Sequence, residues 1–302
     1  MEYGHTPAMP REVMEYLNPR PGGVIADLTV GGGGHAELIL KAVGPAGRLI
    51  GFDKDSAALH ETETRLAPYK EQLALVKTDF RHVRHTLQNL GIKKVDGVLI
   101  DLGVSSHQLD SGERGFSFRH DGPLDMRMDE AGSVTAADVV RNYNERDLTT
   151  VIRQYGEERW AARIAQFIVE RRKTRPITTT FELVDVIRAA IPAGARKGGP
   201  HPARRTFQAL RIEVNEELKA LEEALREGIS CLGKKGRIVV IAYHSLEDRI
   251  VKTTFKEYAE ETSLETGERL LILTKRPLRP AADEVASNPR AESAKLRAAE
   301  RV

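Results

Sequence analysis

The chain has 302 residues, 40% of them hydrophobic, a formal net charge of +2 and a single cysteine, Cys231. This length allows one large α/β domain or a catalytic domain plus a smaller one. One cysteine excludes an internal disulfide, and no run approaches the roughly 20 apolar residues of a membrane span. Because no signal-peptide apolar region is recognisable, we expect a cytoplasmic protein with no membrane partner.

The first predicted elements surround four consecutive glycines. A short apolar β-type run from Val24 ends in Asp27, the glycines Gly31–Gly34 follow, and a helix-compatible segment begins at Ala36. Glycine tolerates positive φ and lacks a Cβ, so the backbone can turn sharply off a strand and approach a ligand. The following helix N-terminus presents free N–H groups, which favour polar or anionic ligand atoms. This order predicts a nucleotide-like cofactor site rather than an empty flexible loop.

The glycines alone leave two cofactors open, because they also fit the dinucleotide pattern G-x-G-x-x-A. Asp53 ends the second predicted strand and suits the ribose hydroxyls of either NAD or S-adenosylmethionine. Acidic residues also end or follow the other strands, at Asp27, Asp79 and Asp101. Carboxylates around one pocket attract a ligand with amine and sulfonium groups but repel a pyrophosphate. The pattern therefore favours methyl transfer over hydride transfer.

Strands and helices alternate along the first third of the chain, with strands predicted near 24–28, 48–53, 73–77 and 96–101. Such alternation predicts a parallel sheet with helices on both faces. Amphipathic helical stretches then follow near 135–142, 145–155, 157–172 and 180–190. One long helix from Thr206 to about Leu232 leads into further strands near 237–243 and 270–274.

This rhythm predicts an α/β fold that is interrupted by an inserted all-helical domain. We expect the first part of the α/β domain at residues 1–110, the insertion at 111–205 and the second part at 206–302. Open α/β sheets bind ligands at the carboxyl ends of their strands. An insertion after the fourth strand can therefore cover the active site.

Several motifs beyond the glycine loop follow one another in a characteristic order. They are Asp101-Leu-Gly-Val-Ser-Ser-His-Gln-Leu-Asp110, Arg114-Gly-Phe-Ser-Phe118, Pro123-Leu-Asp-Met-Arg-Met128, Tyr155-Gly-Glu-Glu158, His201-Pro-Ala-Arg-Arg-Thr-Phe-Gln-Ala-Leu-Arg-Ile212, His244-Ser-Leu-Glu-Asp-Arg249 and Asn288-Pro-Arg290. Together they closely resemble the bacterial ribosomal RNA small subunit methyltransferase H family, over essentially the whole chain. The resemblance implies a Rossmann-like class I methyltransferase sheet with an inserted helical domain. It also implies S-adenosylmethionine-dependent methylation of the N4 amine of a cytidine in the decoding region of small-subunit (16S) ribosomal RNA.

Carried over by position, the family's cofactor contacts fall on Gly33, Gly34, His35, Asp53, Phe80, Asp101 and Gln108. The resemblance implies that the glycine loop approaches the methionine moiety, that Asp53 accepts hydrogen bonds from the ribose and that Phe80 packs on adenine. Asp101 and Gln108 would face the methionine end. The chain departs from the family at Glu292, where many relatives are basic, and at Ala242-Tyr243, where Ser-Phe is common.

Asp101 is the candidate catalytic residue. Cytosine N4 is a poor nucleophile because its lone pair is delocalised into the ring, and an acceptor for its hydrogens lets the nitrogen pyramidalise. That Asp101 only binds the cofactor stays an open alternative. The aromatic residue that stacks on the target base is also open, with candidates Phe116, Phe118, Tyr155 and Tyr243. No His, Cys and carboxylate cluster has metal-ligand spacing, so we predict no catalytic metal.

Basic runs near 171–175, 196–205, 275–279 and 290–301 fit a solvated surface and a phosphate-contacting surface equally well. Recognition of single-stranded RNA combines aromatic stacking with basic backbone contacts. The candidate contacts to small-subunit ribosomal RNA are Arg114, Phe116, Arg204 and Arg205. Free RNA and the assembled small subunit both remain open as substrates, and a homodimer remains open as the oligomeric state.

Two other classes of protein compete with this interpretation. An NAD-dependent oxidoreductase would use the same glycine loop, and a non-catalytic RNA-binding or assembly factor would keep the fold without turnover. The retention of Asp53, Asp101 and the glycine loop disfavours the assembly factor.

Overall fold

The computed structural model describes residues 7–103, 112–196, 199–260 and 269–302. The chain forms two compact units, which divide after Gly103 and after Glu217. We call residues up to 103 together with 218–302 the α/β unit, and residues 104–217 the helical unit.

The α/β unit alternates strands and helices as far as residue 101. Its first strands are β1 (Val24–Asp27), β2 (Arg48–Asp53), β3 (Leu73–Lys77) and β4 (Val95–Asp101). The helices before and between them are α1 (Pro10–Leu17), α2 (Gly34–Val43), α3 (Ser56–Arg65) and α4 (Val83–Asn89). These strands agree with the ones that the sequence predicts.

The helical unit contains five α-helices within its described residues. They are α5 (Ala136–Asn142), α6 (Glu145–Gly156), α7 (Ala161–Thr174), α8 (Thr180–Ala190) and α9 (Arg204–Asn215). Two of them begin with capping boxes, in which Thr135 pairs with Asp138 and Thr179 pairs with Glu182. Each box satisfies backbone N–H groups that the first turn of a helix leaves unpaired.

The remaining elements complete the sheet. They are α10 (Glu217–Cys231), β5 (Leu232–Ala242), α11 (Ser245–Glu260), β6 (Leu270–Ile272), α12 (Ala282–Ser287) and β7 (Lys295–Arg301). In the parts of the chain that the structure describes, no helix is long and apolar enough to cross a membrane.

The seven strands of the described chain form one sheet in the order β3-β2-β1-β4-β5-β7-β6. Strands β1 to β5 are parallel, and β7 runs antiparallel to both β5 and β6. The chain steps outward from β1 to β3 and then returns to place β4 beside β1. The strand order therefore reverses between β1 and β4, which is where open sheets of this kind bind ligands.

Both faces of the sheet are covered. Alternate residues of β4 lie in different apolar clusters, with Val98 and Ile100 on one face and Leu99 on the other. Alternation follows from the two-residue period of a strand, and burial of both faces explains why these parallel strands are almost continuously apolar. The α/β prediction is confirmed.

The structure corrects two predicted elements. The expected helix from Thr206 to Leu232 is two helices, because Glu216 adopts the left-handed conformation with φ 50° and ends α9. In the basic run near 290–301, expected on the surface, Arg290 is exposed, but Lys295, Arg297 and Arg301 lie in β7, at the centre of the antiparallel part of the sheet. Its central residues Leu296 to Ala299 are buried.

The unit boundaries also differ from the predicted ones at residues 110 and 205. Helix α9 belongs to the helical unit, because Phe207 and Leu210 are buried in that unit's apolar core. Hydrophobic periodicity alone cannot assign a helix to one of two cores, since it reports which face is buried and not against what.

Candidate active site

Two carboxylates mark the reversal of strand order. Asp27 ends β1 and Asp101 ends β4, and the two strands are hydrogen-bonded neighbours. Just past the end of β1, the backbone N–H of Leu28 donates to the carbonyl of Leu99 at 2.9 Å. The sheet therefore holds both acidic residues at one edge of the α/β unit.

The glycine loop follows β1 and begins α2. Gly31 and Gly33 have φ values of 50° and 78°, in the left-handed region that favours glycine. A Cβ on Gly33 would lie 3.3 Å from Thr62 Cγ2, so α3 packs directly against the loop. The hydroxyl of Thr62 donates to the carbonyl of Gly31 and ties the same helix to the turn.

Asp53 fastens the loop from the end of β2. Its carboxylate accepts hydrogen bonds from the N–H of Gly31 at 3.1 Å and from the N–H of Asp55 at 2.8 Å. Burial raises the pKa of Asp53 to about 6, against the lowering effect of these backbone donors. A ligand that donates further hydrogen bonds to the carboxylate, as ribose hydroxyls do, would favour its charged form.

Asp27 is 1% exposed, and its Oδ1 accepts from the N–H of Thr29 at 3.2 Å. Burial raises the pKa of Asp27 to about 7, and the nearby His35 opposes that rise. The charges of Asp101 and Asp53 raise it further, which shows that the three carboxylates share one electrostatic environment.

The two carboxylate oxygens of Asp101 face Tyr243 and His35. The hydroxyl of Tyr243 donates to Oδ1 at 2.9 Å, and Nε2 of His35 lies 3.5 Å from Oδ2. The backbone N–H of Asp101 donates to the hydroxyl oxygen of Thr29 at 2.6 Å. Asp101 is therefore held through its carboxylate by the segment after β5 and through its backbone N–H by the loop after β1, while His35 of α2 lies within ion-pair reach.

His35 is 6% exposed, yet neither ring nitrogen has a hydrogen-bond partner within the described chain. The 3.5 Å approach to Asp101 lies within ion-pair reach but does not meet hydrogen-bond geometry. Buried polar atoms are nearly always satisfied, so an orphaned imidazole beside a glycine loop indicates a ligand that completes it. This observation fits a bound cofactor at this edge.

Phe80 lies beside Lys54 and Asp79. The sequence analysis counted Asp79 among the carboxylates that attract a cationic ligand. Lys54 Nζ lies 5.8 Å from the centre of the Phe80 ring and 2.7 Å from the carboxylate of Asp79. Burial raises the pKa of Asp79, but Lys54 and Arg81 outweigh it and hold that pKa below its usual range. Asp79 is thus neutralised by its own cations and does not add to the charge that would attract a cationic ligand.

Sequence reasoning missed Glu247, which fixes the segment after β5. Its Oε2 accepts from the N–H of Tyr243 at 2.8 Å and from the N–H of His244 at 3.2 Å. The N–H of Glu247 faces Nδ1 of His244 at 3.4 Å in return. In a capping box, a glutamate lies three residues after the residue that precedes the helix. His244-Ser-Leu-Glu247 has this spacing, so the sequence did contain a signal that could have identified Glu247.

The helical unit places two expected RNA contacts inside its own fold. Arg114 donates through Nη2 to the carbonyls of Arg127 and Met128, and its guanidinium lies 5.9 Å from the Phe116 ring. Phe116 is buried in the unit's apolar core. This placement disagrees with the expectation that Phe116 stacks on a base, because its ring is already covered.

The other expected residues are distributed as follows. Phe118 stacks on His201 with ring centres 4.6 Å apart, and the side chain of Gln208 donates to the Tyr155 carbonyl. Arg204 and Arg205 are exposed in the first turn of α9. Gln108 lies outside the described residues. Within the α/β unit, the glycine loop, His35, Asp53 and Asp101 meet at one end of the sheet.

Comparison with known proteins identifies the family of the chain. The sequence model of the MraW methylase family matches residues 2–302. The chain is 52% identical over 310 residues to a protein of Geotalea daltonii named ribosomal RNA small subunit methyltransferase H, with 100% of this chain and 99% of that protein covered. It is 54% identical over 311 residues to the protein of the same name from Geobacter sulfurreducens, with both chains covered to 100%.

The sheet with its glycine loop and the family match together define an S-adenosylmethionine-dependent methyltransferase of the class I fold. The chain belongs to the MraW methylase family. The resemblance inferred from the motifs is thereby confirmed, and so are the fold class and the cofactor. The oxidoreductase alternative is excluded.

Proposed function

We propose that the protein transfers a methyl group from S-adenosylmethionine to the N4 amine of a cytidine in the decoding region of 16S ribosomal RNA. The chain is about half identical, over its full length, to relatives that are named for small-subunit ribosomal RNA. This similarity supports ribosomal RNA of the small subunit as the substrate. The choice of N4 and of the decoding region rests on the motif resemblance. The observation that carries the proposal is the Asp101 carboxylate, held at the reversal of strand order beside a glycine loop.

Bound S-adenosylmethionine supplies an electrophilic methyl group on a sulfonium. In the transfer an N4–CH₃ bond forms while the S–CH₃ bond breaks with its electron pair going to sulfur, and N4 loses one proton. We assign Asp101 as the acceptor that hydrogen-bonds an N4 hydrogen and takes up the proton that N4 loses. Fixed orientation of the reacting groups can supply roughly 7–11 kcal/mol of barrier lowering, so the main requirement is a site that holds the cofactor methyl group in line with N4.

The cofactor residues of this proposal are Gly33, Gly34, His35, Asp53, Phe80 and Asp101, with Gln108 carried over from the motif alone. Asp53 accepts hydrogen bonds from the ribose, and the orphaned ring of His35 meets the methionine end. Asp101 can serve both ligands, since a carboxylate offers about four lone-pair sites.

Arg204 and Arg205 are the proposed phosphate contacts. Both are exposed, and the guanidinium of Arg204 makes no hydrogen bond or ion pair with any residue in the described ranges. Arg205 donates through Nη1 to the Glu157 carbonyl at 3.1 Å, which leaves its other guanidinium donors available. Arginine presents five donors in a planar fork that matches phosphate geometry.

The test of the reaction is incubation with labelled S-adenosylmethionine and unmodified small subunits, followed by nucleoside mass spectrometry. We expect N4-methylcytidine from the wild type and none from Asp101→Ala, with both proteins folded. Near-normal turnover in the variant would remove Asp101 from the chemistry. A labelled nucleoside other than N4-methylcytidine would refute the proposed acceptor.

The RNA contact is tested by the salt dependence of binding. Changing Arg204 and Arg205 together to Ala should flatten the slope of log K against log salt by about 1.4, since each phosphate contact to a single strand contributes about 0.7. Arg146 and Arg153, exposed on α6, give the matched control for the same change in charge. An equal loss of slope in the control would assign the effect to general charge.

A further inference from the structure

We infer that Tyr243 is a positioning residue that acts through Asp101. Its hydroxyl holds one carboxylate oxygen so that the other is presented to the ligand. The inference rests on the proposed role of Asp101 and extends it to a side chain in the segment after β5. The two residues are 142 positions apart in the sequence and share one hydrogen bond of 2.9 Å.

The direction of this hydrogen bond is fixed by chemistry. Burial raises the pKa of the Tyr243 hydroxyl well above its usual range, and the neighbouring charge of Asp101 raises it further. The hydroxyl therefore keeps its proton and donates to Oδ1. A hydrogen bond to an ionised group is shorter and roughly twice as strong as one between neutral groups.

The Tyr243 ring is itself fixed in place. Its backbone N–H donates to the buried carboxylate of Glu247 at 2.8 Å. Gly103 packs against the ring, and a Cβ there would lie 3.3 Å from Tyr243 Cδ2. Gly103 also has a φ of 104°, which L side chains rarely adopt. The absent side chain at 103 leaves room for the ring to reach Asp101.

Asp101 Oδ2 is then the oxygen that a ligand can share. It lies 3.5 Å from Nε2 of His35, whose two ring nitrogens have no hydrogen-bond partner among the described residues. With Oδ1 engaged by Tyr243, the carboxylate cannot rotate freely, and its second oxygen faces His35 in the first turn of α2. Loss of the hydroxyl would leave that orientation undefined.

The experiment is a double-mutant cycle read by calorimetric binding of S-adenosylhomocysteine, which requires no RNA. Tyr243→Phe should weaken binding about tenfold in the wild-type background, because it removes a hydrogen bond to a charged group. In the Asp101→Ala background the same change should alter binding less than twofold. Asp101→Asn serves as the second background if the alanine variant does not fold, again with a smaller loss than in the wild type.

Tyr16→Phe is the matched control, since Tyr16 is a partly buried tyrosine packed on the α/β core whose hydroxyl makes no hydrogen bond in the described structure. Equal losses with and without Asp101 would show that Tyr243 only packs, and no loss in either background would also overturn the inference. Methyl transfer is measured in parallel, where Tyr243→Phe should lower kcat and leave the KM for RNA unchanged. If the wild type methylates no ribosomal RNA, the proposed function fails while the binding cycle still decides the role of Tyr243.

Discussion

Asp27→Asn should make the unfolding free energy of the ligand-free protein less dependent on pH. Asp27 is 1% exposed at the end of β1, and burial raises its pKa from 3.8 to about 7. Its Oδ1 accepts from the Thr29 N–H, and the amide oxygen of an asparagine can accept the same hydrogen bond. The substitution therefore removes the charge and keeps the shape of the group.

The sign follows from proton binding. Between about pH 4 and pH 7 the folded protein keeps the Asp27 proton while the unfolded chain releases it. The unfolding free energy contributed by this group is therefore fully present below the unfolded pKa and is lost as pH rises through the folded one. A difference of about three pKa units at 1.36 kcal/mol each gives a loss of about 4 kcal/mol by pH 8.

The assay is urea unfolding of both proteins at intervals from pH 4 to pH 8. The unfolding free energy of the variant, relative to that of the wild type, should rise by about 4 kcal/mol as the pH increases from 4 to 8. Asp53, whose pKa is raised to about 6, is present in both proteins, so the comparison removes its contribution apart from its coulombic coupling to Asp27. Asp185→Asn, at an exposed position of α8, is the control for the same chemical change. Parallel stability curves for the wild type and Asp27→Asn would refute the argument that burial perturbs this carboxyl.

The remaining predictions concern the ribose site and two glycines. Binding of S-adenosylhomocysteine should weaken as pH falls through 6, because protonation of Asp53 removes the acceptor that ribose hydroxyls need. In the same calorimetric titration, the Asp53→Asn variant should bind weakly and with little dependence on pH. Gly115→Ala should lower the unfolding free energy by more than about 2 kcal/mol, since its Cβ would lie 2.2 Å from the Pro123 carbonyl oxygen at a φ of 69°. Gly228→Ala in α10 should instead raise it by about 0.5–1 kcal/mol, because the nearest atom, in Val98, is 3.4 Å away. Urea unfolding checks both, and equal effects at the two positions would contradict the steric reasoning.

Local patterns in the sequence predicted the strands and the residues at their ends. Apolar runs followed by Asp27, Asp53 and Asp101 are contiguous features, because a strand and its C-terminal residue are neighbours in the chain. The four glycines are likewise local, and the positive φ values of Gly31 and Gly33 are what a turn from a strand into a helix requires. For this reason the sequence predicted the sheet, the loop and the kind of cofactor.

Contacts between distant segments could not be predicted in this way. Asp79 has the same sequence pattern as the other acidic strand ends, yet Lys54 and Arg81 neutralise it. Phe116 lies in a motif with Arg114, which suggested an exposed contact, yet the helices of its own unit bury it. Lys54, which follows β2, and the helices around Phe116 come from other elements of the fold, whereas Arg81 is only two residues from Asp79.

What the amino-acid sequence determined by itself is the alternation of elements, the glycine turn and the acidic residues that follow the strands, because these depend on the period and the backbone preference of adjacent residues. Only the tertiary structure decided which carboxylates share a charge environment, that β7 enters the sheet beside β5, and that Tyr243 donates to Asp101. Those outcomes depend on the distances between groups that are far apart in the chain and on the dielectric of the medium between them. Packing in the folded protein fixes both of these quantities.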